Sequence, residues 1–142
     1  MADTIQLDNE YTFLVGTYTD LDALAHQPYA PTSGSGIYTL NISQDGKLSE
    51  QAVTDILNPA VLIPHSNGKM VYAIVETIQN NGDVVQLGLD GNNNLSEQGK
   101  YTASGKSTCY IALSPQKDVA IVINYWDAII DVVEVDLSLI HI

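Results

Sequence analysis

The sequence predicts an all-β fold built from repeated antiparallel units, and three observations lead to that prediction. Patterns recur 46 or 47 residues apart: Gly-Ile-Tyr at 36–38 aligns with Gly-Asp-Val at 82–84, and Leu-Ser-Glu at 48–50 returns at 95–97. The apolar runs are short and rich in Val and Ile, which favours buried strands over helices. Asp-Gly and Asn-Gly pairs separate the runs, and such pairs are strong signals for hairpin turns.

Each run is assigned a strand in chain order. Residues 11–17 are rich in aromatic and β-branched types, residues 35–41 alternate, and residues 47–56 follow the Asp-Gly turn at 45–46. The second copy contains four such runs and the third contains three. These seven predicted strands are 58–63, 69–76, 83–90, 95–103, 108–113, 117–124 and 129–136. Residues 20–35, with two prolines, form the long irregular connection.

A repeat of about 40–50 residues made of short strands is typical of a β-propeller, in which each copy forms one four-stranded blade. We interpret residues 11–57 as a first blade that lacks its inner strand, 58–104 as a second and 105–136 as a third. Propellers close with about four to eight blades. The chain is therefore expected to be a fragment of about two and a half to three blades. Residues 137–142 break the repeat and are predicted to be a tail foreign to the fold.

The charge balance argues against two classes of partner. The net charge is −12, and the five basic residues are all lysines. Nucleic-acid binding needs a basic stripe that displaces counterions, and an anionic membrane surface would repel this chain. We therefore expect no nucleic-acid partner and no membrane partner.

Two further features bear on the compartment. The first residues, Met-Ala-Asp-Thr, have neither the basic nor the apolar region of a secretory signal. Cys109 is the single cysteine, which suits a reducing compartment because no intrachain disulfide can form. We therefore expect a cytoplasmic protein.

Several segments together resemble one known family, the seven-bladed propeller lactonases, which include propeller-type 6-phosphogluconolactonases and fungal carboxymuconate lactonizing enzymes. The segments are Phe-Leu-Val-Gly-Thr-Tyr-Thr at 13–19, Ser-Gly-Ile-Tyr at 35–38, Asn-Pro at 58–59, Val-Tyr-Ala at 71–73 with Glu76, Ile-Ala-Leu-Ser-Pro at 111–115 and Asn-Tyr at 124–125. The resemblance implies a seven-bladed ring of which the chain is roughly the first third.

The resemblance also implies a function. It implies a hydrolase that opens sugar lactones, with 6-phosphogluconolactone of the pentose phosphate pathway as the expected substrate and no cofactor. The histidine, arginine and glutamate proposed for the family's active site come largely from later blades, so the catalytic residues are expected outside this chain and the 142 residues alone are expected to be inactive. A non-catalytic propeller that serves as a binding scaffold remains the alternative, because fold does not fix activity.

Two departures from the family pattern fall at candidate positions. The usual Cys-His pair is Cys109-Tyr110 here, and the usual Asn-Tyr-Gly is Asn124-Tyr125-Trp126. The replaced histidine leaves the choice of lactone open.

Equivalent strand ends of a propeller meet at one face around its axis, so polar residues there are candidates for a substrate channel. The repeat places Gly16, Glu76 and Asn124 at equivalent positions, each ending the second strand of its copy. The predicted channel residues are Glu76, Asn124, Tyr125, Tyr110 and Tyr18. The alternative is that Glu76 caps a loop and Asn124 bonds to turn backbone.

No metal site is predicted from the sequence. The three histidines, His26, His65 and His141, share no metal-ligand spacing with one another or with Cys109. We expect structural or solvent-facing roles for them. For Cys109, at the start of an inner strand, we expect a buried thiol, with a channel-facing role as the alternative.

Overall fold

The computed structural model of the protein describes residues 6–26, 28–29, 31–116 and 118–135, and the backbone of residues 140–141. Within these ranges the chain forms eleven strands and one short 3-10 helix at Leu21–Ala23. The strands are β1 (Tyr11–Gly16), β2 (Ile37–Ile42), β3 (Leu48–Thr54), β4 (Pro59–Pro64), β5 (Met70–Val75), β6 (Asp83–Leu89), β7 (Leu95–Thr102), β8 (Thr108–Leu113), β9 (Val119–Asn124), β10 (Ile129–Val135) and β11 (Ile140–His141).

The strands form three antiparallel sheets, which confirms the all-β prediction. The first sheet has the order β1-β2-β3, the second β4-β5-β6-β7 and the third β8-β9-β10-β11. Each of the ten predicted strands overlaps one of β1 to β10. The sequence did not predict β11, whose two residues pair with Glu134 and Val135. Residues 136–139 and 142, and the side chains of 140–141, lie outside the described part, so the foreign tail stays a prediction.

The second sheet is buried on both faces, which explains the unbroken apolar run of β5. Side chains of a strand alternate between faces. Val71, Ala73 and Val75 pack with Ile37 of the first sheet. The intervening residues of β5 face the third sheet, where they pack with a group of residues from β8, β9 and β10. That group is Ile111, Ala120, Val122, Val133 and Val135.

Gly16 allows the first and second sheets to approach closely. A Cβ at this position would overlap the carbonyl oxygen of Pro59, a backbone atom that cannot swing away. Any larger residue would therefore force β1 and β4 apart. This contact brings the end of β1 beside the start of β4.

The loop after β1 is tied to the same region. Asp20 caps the 3-10 helix by accepting a hydrogen bond from the amide of Asp22 at 3.1 Å. Ala23 is fully buried, and its carbonyl accepts a hydrogen bond of 2.8 Å from the amide of Ile78. The segment that carries Tyr18 and His26 is therefore held against the loop that follows β5.

Candidate functional site

The starts of β4 and β8 define matching positions in the second and third sheets. Asn58 and Ser107 each precede an inner strand and have positive φ values of 40° and 51°. The carbonyl of Asn58 accepts a hydrogen bond from the amide of Glu76 at 3.1 Å, and that of Ser107 accepts one from the amide of Tyr125 at 3.0 Å. Glu76 therefore corresponds to Tyr125.

The sequence repeat predicts that Glu76 and Asn124 are equivalent, and this prediction is wrong by one residue. The strand pairing agrees with the corrected register, because Pro59 pairs with Val75 just as Thr108 pairs with Asn124. A shift of one residue turns a side chain to the opposite face of a strand. Asn124 therefore occupies the position of Val75, which faces the core.

Asn124 is fully buried and bonded within the third sheet. Its Nδ2 donates to Asp131 Oδ2 at 2.9 Å, and its Oδ1 accepts from Thr108 Oγ1 at 2.7 Å. Burial by itself would raise the pKa of Asp131, but hydrogen bonds from the Ser104 amide and from Asn124 outweigh it and lower that pKa. These contacts hold β8, β9 and β10 together, and Asn124 does not line the pocket described next.

A pocket of about 490 Å³ opens where β4 and β8 begin. Of the five predicted channel residues, Tyr18, Glu76 and Tyr125 line it. Its other lining residues are Ala25, His26, Ala60, Val61, Ser107, Cys109 and Trp126. Tyr110 is 55% exposed and lies outside this lining. A β-bulge between Thr108 and Tyr110 gives Cys109 the position that faces the pocket.

The carboxylate of Glu76 is buried in the pocket and is held there by two side-chain hydrogen bonds. The residue is only 5% exposed. Its Oε1 accepts a hydrogen bond from Ser107 Oγ at 2.9 Å, and its Oε2 accepts one from Tyr18 Oη at 3.3 Å. The alternative that Glu76 caps a loop does not describe these contacts, since both partners are side chains from other strands or loops.

Two acidic side chains near the Glu76 carboxylate, those of Tyr18 and Cys109, have raised pKa values. Burial raises the pKa of Tyr18, and the charge of Glu76 and its hydrogen bond raise it further. Burial also raises the pKa of Cys109, with the charge of Glu76 as the second cause. One carboxylate therefore lies beside a phenol and a thiol that both keep their protons.

Sequence reasoning missed Ser107, Trp126 and His26, and it left Cys109 between a channel-facing role and a buried thiol. Ser107 and Cys109 stand at the start of an inner strand, which is a usable signal. Trp126 stands where the lactonase family usually has the glycine of Asn-Tyr-Gly. This difference from the family pattern was a signal for a pocket residue. His26 gave no signal, because the folded loop alone brings its ring edge-on to Tyr18, with 5.7 Å between ring centroids.

The described ranges contain neither a metal cluster nor a membrane-spanning helix. No cluster of three or more His, Cys, Asp or Glu side chains suited to a metal ion occurs there. None of the helical segments described is long and apolar enough to cross a membrane. The chemical groups that the pocket offers are a carboxylate, a thiol, an imidazole, hydroxyl donors and aromatic surfaces.

Comparisons with known structures agree with this architecture. A candidate 6-phosphogluconolactonase of Bacteroides fragilis is 25% identical, with a TM-score of 0.76 over 94% of this chain and 35% of its own. A second candidate 6-phosphogluconolactonase, from Bacteroides uniformis, is 23% identical with a TM-score of 0.76, over 94% and 36%. A periplasmic gluconolactonase of Pseudomonas aeruginosa is 19% identical with a TM-score of 0.75, over 94% and 37%.

The chain thus spans little more than a third of the length of these structures. At identities below 25%, the likeness establishes the fold alone. No curated protein sequence matches the chain significantly. The family model of the seven-bladed β-propeller lactonases matches residues 12–139. The chain therefore belongs to the seven-bladed β-propeller lactonase family.

Proposed function

We propose that the protein is a lactonase-type hydrolase that opens sugar lactones. The observation that carries this proposal is the buried Glu76 carboxylate, which follows β5 beside the start of β4 in a lactonase-family fold. The likeness to the Bacteroides fragilis candidate 6-phosphogluconolactonase supports the same class of substrate. We propose 6-phosphogluconolactone as the natural substrate, which would give the protein a place in the pentose phosphate pathway.

Lactone hydrolysis needs a base beside the ester carbon. The oxygen of a water molecule bonds to the carbonyl carbon, the ring C–O bond breaks, and the ring oxygen takes up a proton to give a hydroxy acid. Glu76 can accept the proton of the attacking water, because each of its oxygens keeps a lone pair beyond the bonds to Ser107 and Tyr18. In this proposal further blades supply the histidine and arginine that the family resemblance implies.

A phosphorylated substrate also needs a cationic anchor. None of the residues described as lining the pocket is a lysine, and the sequence contains no arginine. The phosphate would therefore be held by groups outside this pocket. An unphosphorylated sugar lactone would need no such anchor, so the two substrates are compared directly in the test.

The test measures hydrolysis of 6-phosphogluconolactone and of glucono-1,5-lactone by the protein in its longest natural form. We expect turnover above the spontaneous rate, and a loss of about 10²–10⁴-fold in kcat for Glu76→Gln, the usual contribution of a general base. Glu97→Gln, on the exposed side of β7, is the matched control and should keep full activity. No turnover above the spontaneous rate with any sugar lactone would refute the proposal and favour a binding scaffold.

We also propose a cytoplasmic location. The single cysteine supports this location. A chain with one cysteine forms no intrachain disulfide, and proteins of reducing compartments usually have none. Fractionation of the source cells should recover the protein with cytoplasmic markers. Recovery with periplasmic or secreted markers would contradict the location without touching the lactonase proposal.

A further inference from the structure

The rim of the pocket has two neighbouring aromatic side chains that are exposed to solvent in this chain. Tyr125 is 69% exposed and Trp126 is 56% exposed, and both line the same pocket as Glu76. Ala128, just beyond them, has a positive φ of 54° and its amide donates to the carbonyl of Tyr125, so the pair lies on a tight turn. Large aromatic groups held at the mouth of a polar pocket offer flat surfaces to a ligand.

The turn that carries these aromatic groups is tied to the base of the pocket. The amide of Tyr125 donates to the carbonyl of Ser107 at 3.0 Å, and the amide of Trp126 donates to the carbonyl of Lys106 at 3.3 Å. The carboxylate of Asp127 accepts from the amide of Lys106 at 2.7 Å. Because the hydroxyl of Ser107 also bonds Glu76, one short segment sets the positions of both the aromatic rim and the carboxylate.

The charge inside the pocket selects against an anion. Glu76 is the carboxylate of the lining, and no lysine accompanies it among the described lining residues. Tyr18 and Cys109, whose pKa values are raised by burial, stay neutral at physiological pH. A phosphate or carboxylate would meet like charge there with no lysine or arginine beside it, and His26 is the one basic side chain in the described lining, whereas a hydroxyl would find an acceptor.

We propose that this pocket is the subsite for the uncharged, hydroxyl-bearing ring of a sugar ligand. The C–H face of the ring would lie on Trp126 and Tyr125, and one ring hydroxyl would donate to the carboxylate of Glu76. Any phosphate of the ligand projects out of this pocket toward groups elsewhere in the protein. The inference rests on the proposed function for its ligand class, but it concerns binding and is tested without turnover.

Cys109 provides a reporter inside the same pocket. It is half-buried, and trypsin should release it in the peptide 107–117, because lysines stand at positions 106 and 117. The alkylation rate with iodoacetamide is measured by mass spectrometry of that peptide. The probe is 1,5-anhydroglucitol, a neutral sugar ring with neither a carbonyl group nor a charge.

We expect saturating 1,5-anhydroglucitol to slow the alkylation of Cys109 at least about fivefold, and inorganic phosphate at the same concentration to leave the rate unchanged. Trp126→Ala should abolish most of the protection. Tyr29→Ala, which removes a fully exposed aromatic group outside the pocket, is the matched control and should keep it. Alkylation in urea sets the rate for an unfolded chain and must exceed the native rate.

The outcomes separate the two proposals. Sugar-lactone turnover without protection by 1,5-anhydroglucitol would overturn the subsite and leave the lactonase function intact. Protection without turnover would support the subsite and overturn the lactonase. Stronger protection by inorganic phosphate than by the sugar ring, or equal rates in buffer and urea, would also overturn the subsite.

Discussion

Replacement of Asn58 should test how the first two sheets are joined beside the candidate site. Its side chain is fully buried and connects the loop after β1 to the end of β5. Its Oδ1 accepts from the amides of Thr19 and Asp20 at 2.7 and 2.8 Å. Its Nδ2 donates to the carbonyls of Asp20 and Glu76 at 2.8 and 3.1 Å.

The expected cost follows from those four hydrogen bonds. Each contributes about 1 kcal/mol net, so Asn58→Ala should lower the free energy of unfolding by about 4 kcal/mol. The φ of 40° adds about 1–2 kcal/mol, because asparagine tolerates the left-handed region and alanine does not. Since domains are typically stable by only about 5–15 kcal/mol, this single change should remove much of the stability.

Two further variants separate the contributions. Asn58→Gly loses the same bonds without the backbone strain, and should be about 1–2 kcal/mol more stable than Asn58→Ala. Asn58→Asp keeps both acceptor bonds but sets a buried carboxylate oxygen against the carbonyl oxygens of Asp20 and Glu76, so it should cost at least as much as Asn58→Ala. Urea unfolding followed by far-ultraviolet circular dichroism measures all three. A loss below about 1 kcal/mol for Asn58→Ala would refute the assigned role of this residue.

Three more changes have definite expected outcomes. Glu76→Gln should lower the pKa of Cys109, because the negative charge that raises it is removed; the pH dependence of iodoacetamide alkylation measures this. Tyr72→Phe should raise the free energy of unfolding by about 1–3 kcal/mol in urea melts, because the buried hydroxyl has no hydrogen-bond partner among the described residues. Gly16→Ala should lower the melting temperature, because its Cβ overlaps backbone of the second sheet, whereas Gly91→Ala, with nothing near its Cβ, should leave it nearly unchanged.

Each of these expectations has a contrary result. An unchanged or higher thiol pKa in Glu76→Gln would place the carboxylate farther from Cys109 than the structure does. Destabilisation by Tyr72→Phe would mean that the hydroxyl has a partner. Equal melting temperatures for the two glycine variants would remove the argument for close contact between β1 and β4.

The pairing of the strands was largely predictable, because it depends on local patterns. The run of β5 reads as a buried strand from its sequence alone, and the Asp-Gly and Asn-Gly pairs mark the turns. Glu76 and Tyr125 were found for the same reason: strand ends of a repeat meet at one face. The register of the third copy was missed, because Pro59 and Thr108 are equivalent at a separation of 49 residues, whereas the sequence motifs recur 46 or 47 residues apart.

The position of Asn124 illustrates the limit of that reasoning. Its polar side chain at a strand end indicated a channel, but in the fold it bonds Thr108 and Asp131 in the interior. Trp126 illustrates the converse case, since an apolar residue on a turn lines the pocket. A shift of one residue in the alignment moves a side chain to the other face of its strand. The sequence repeat is uncertain by one residue, so it does not determine the face.

The sequence by itself determined the β-propeller class and ten of the eleven described strands, because hydrophobic alternation and turn residues act over short stretches of chain. The tertiary structure alone decided which groups share the pocket. Ser107, Tyr18 and Glu76 come from separate parts of the chain and meet through two hydrogen bonds that no local pattern encodes. The physical reason is that a site depends on contacts between distant segments, and those contacts are set only when the sheets pack.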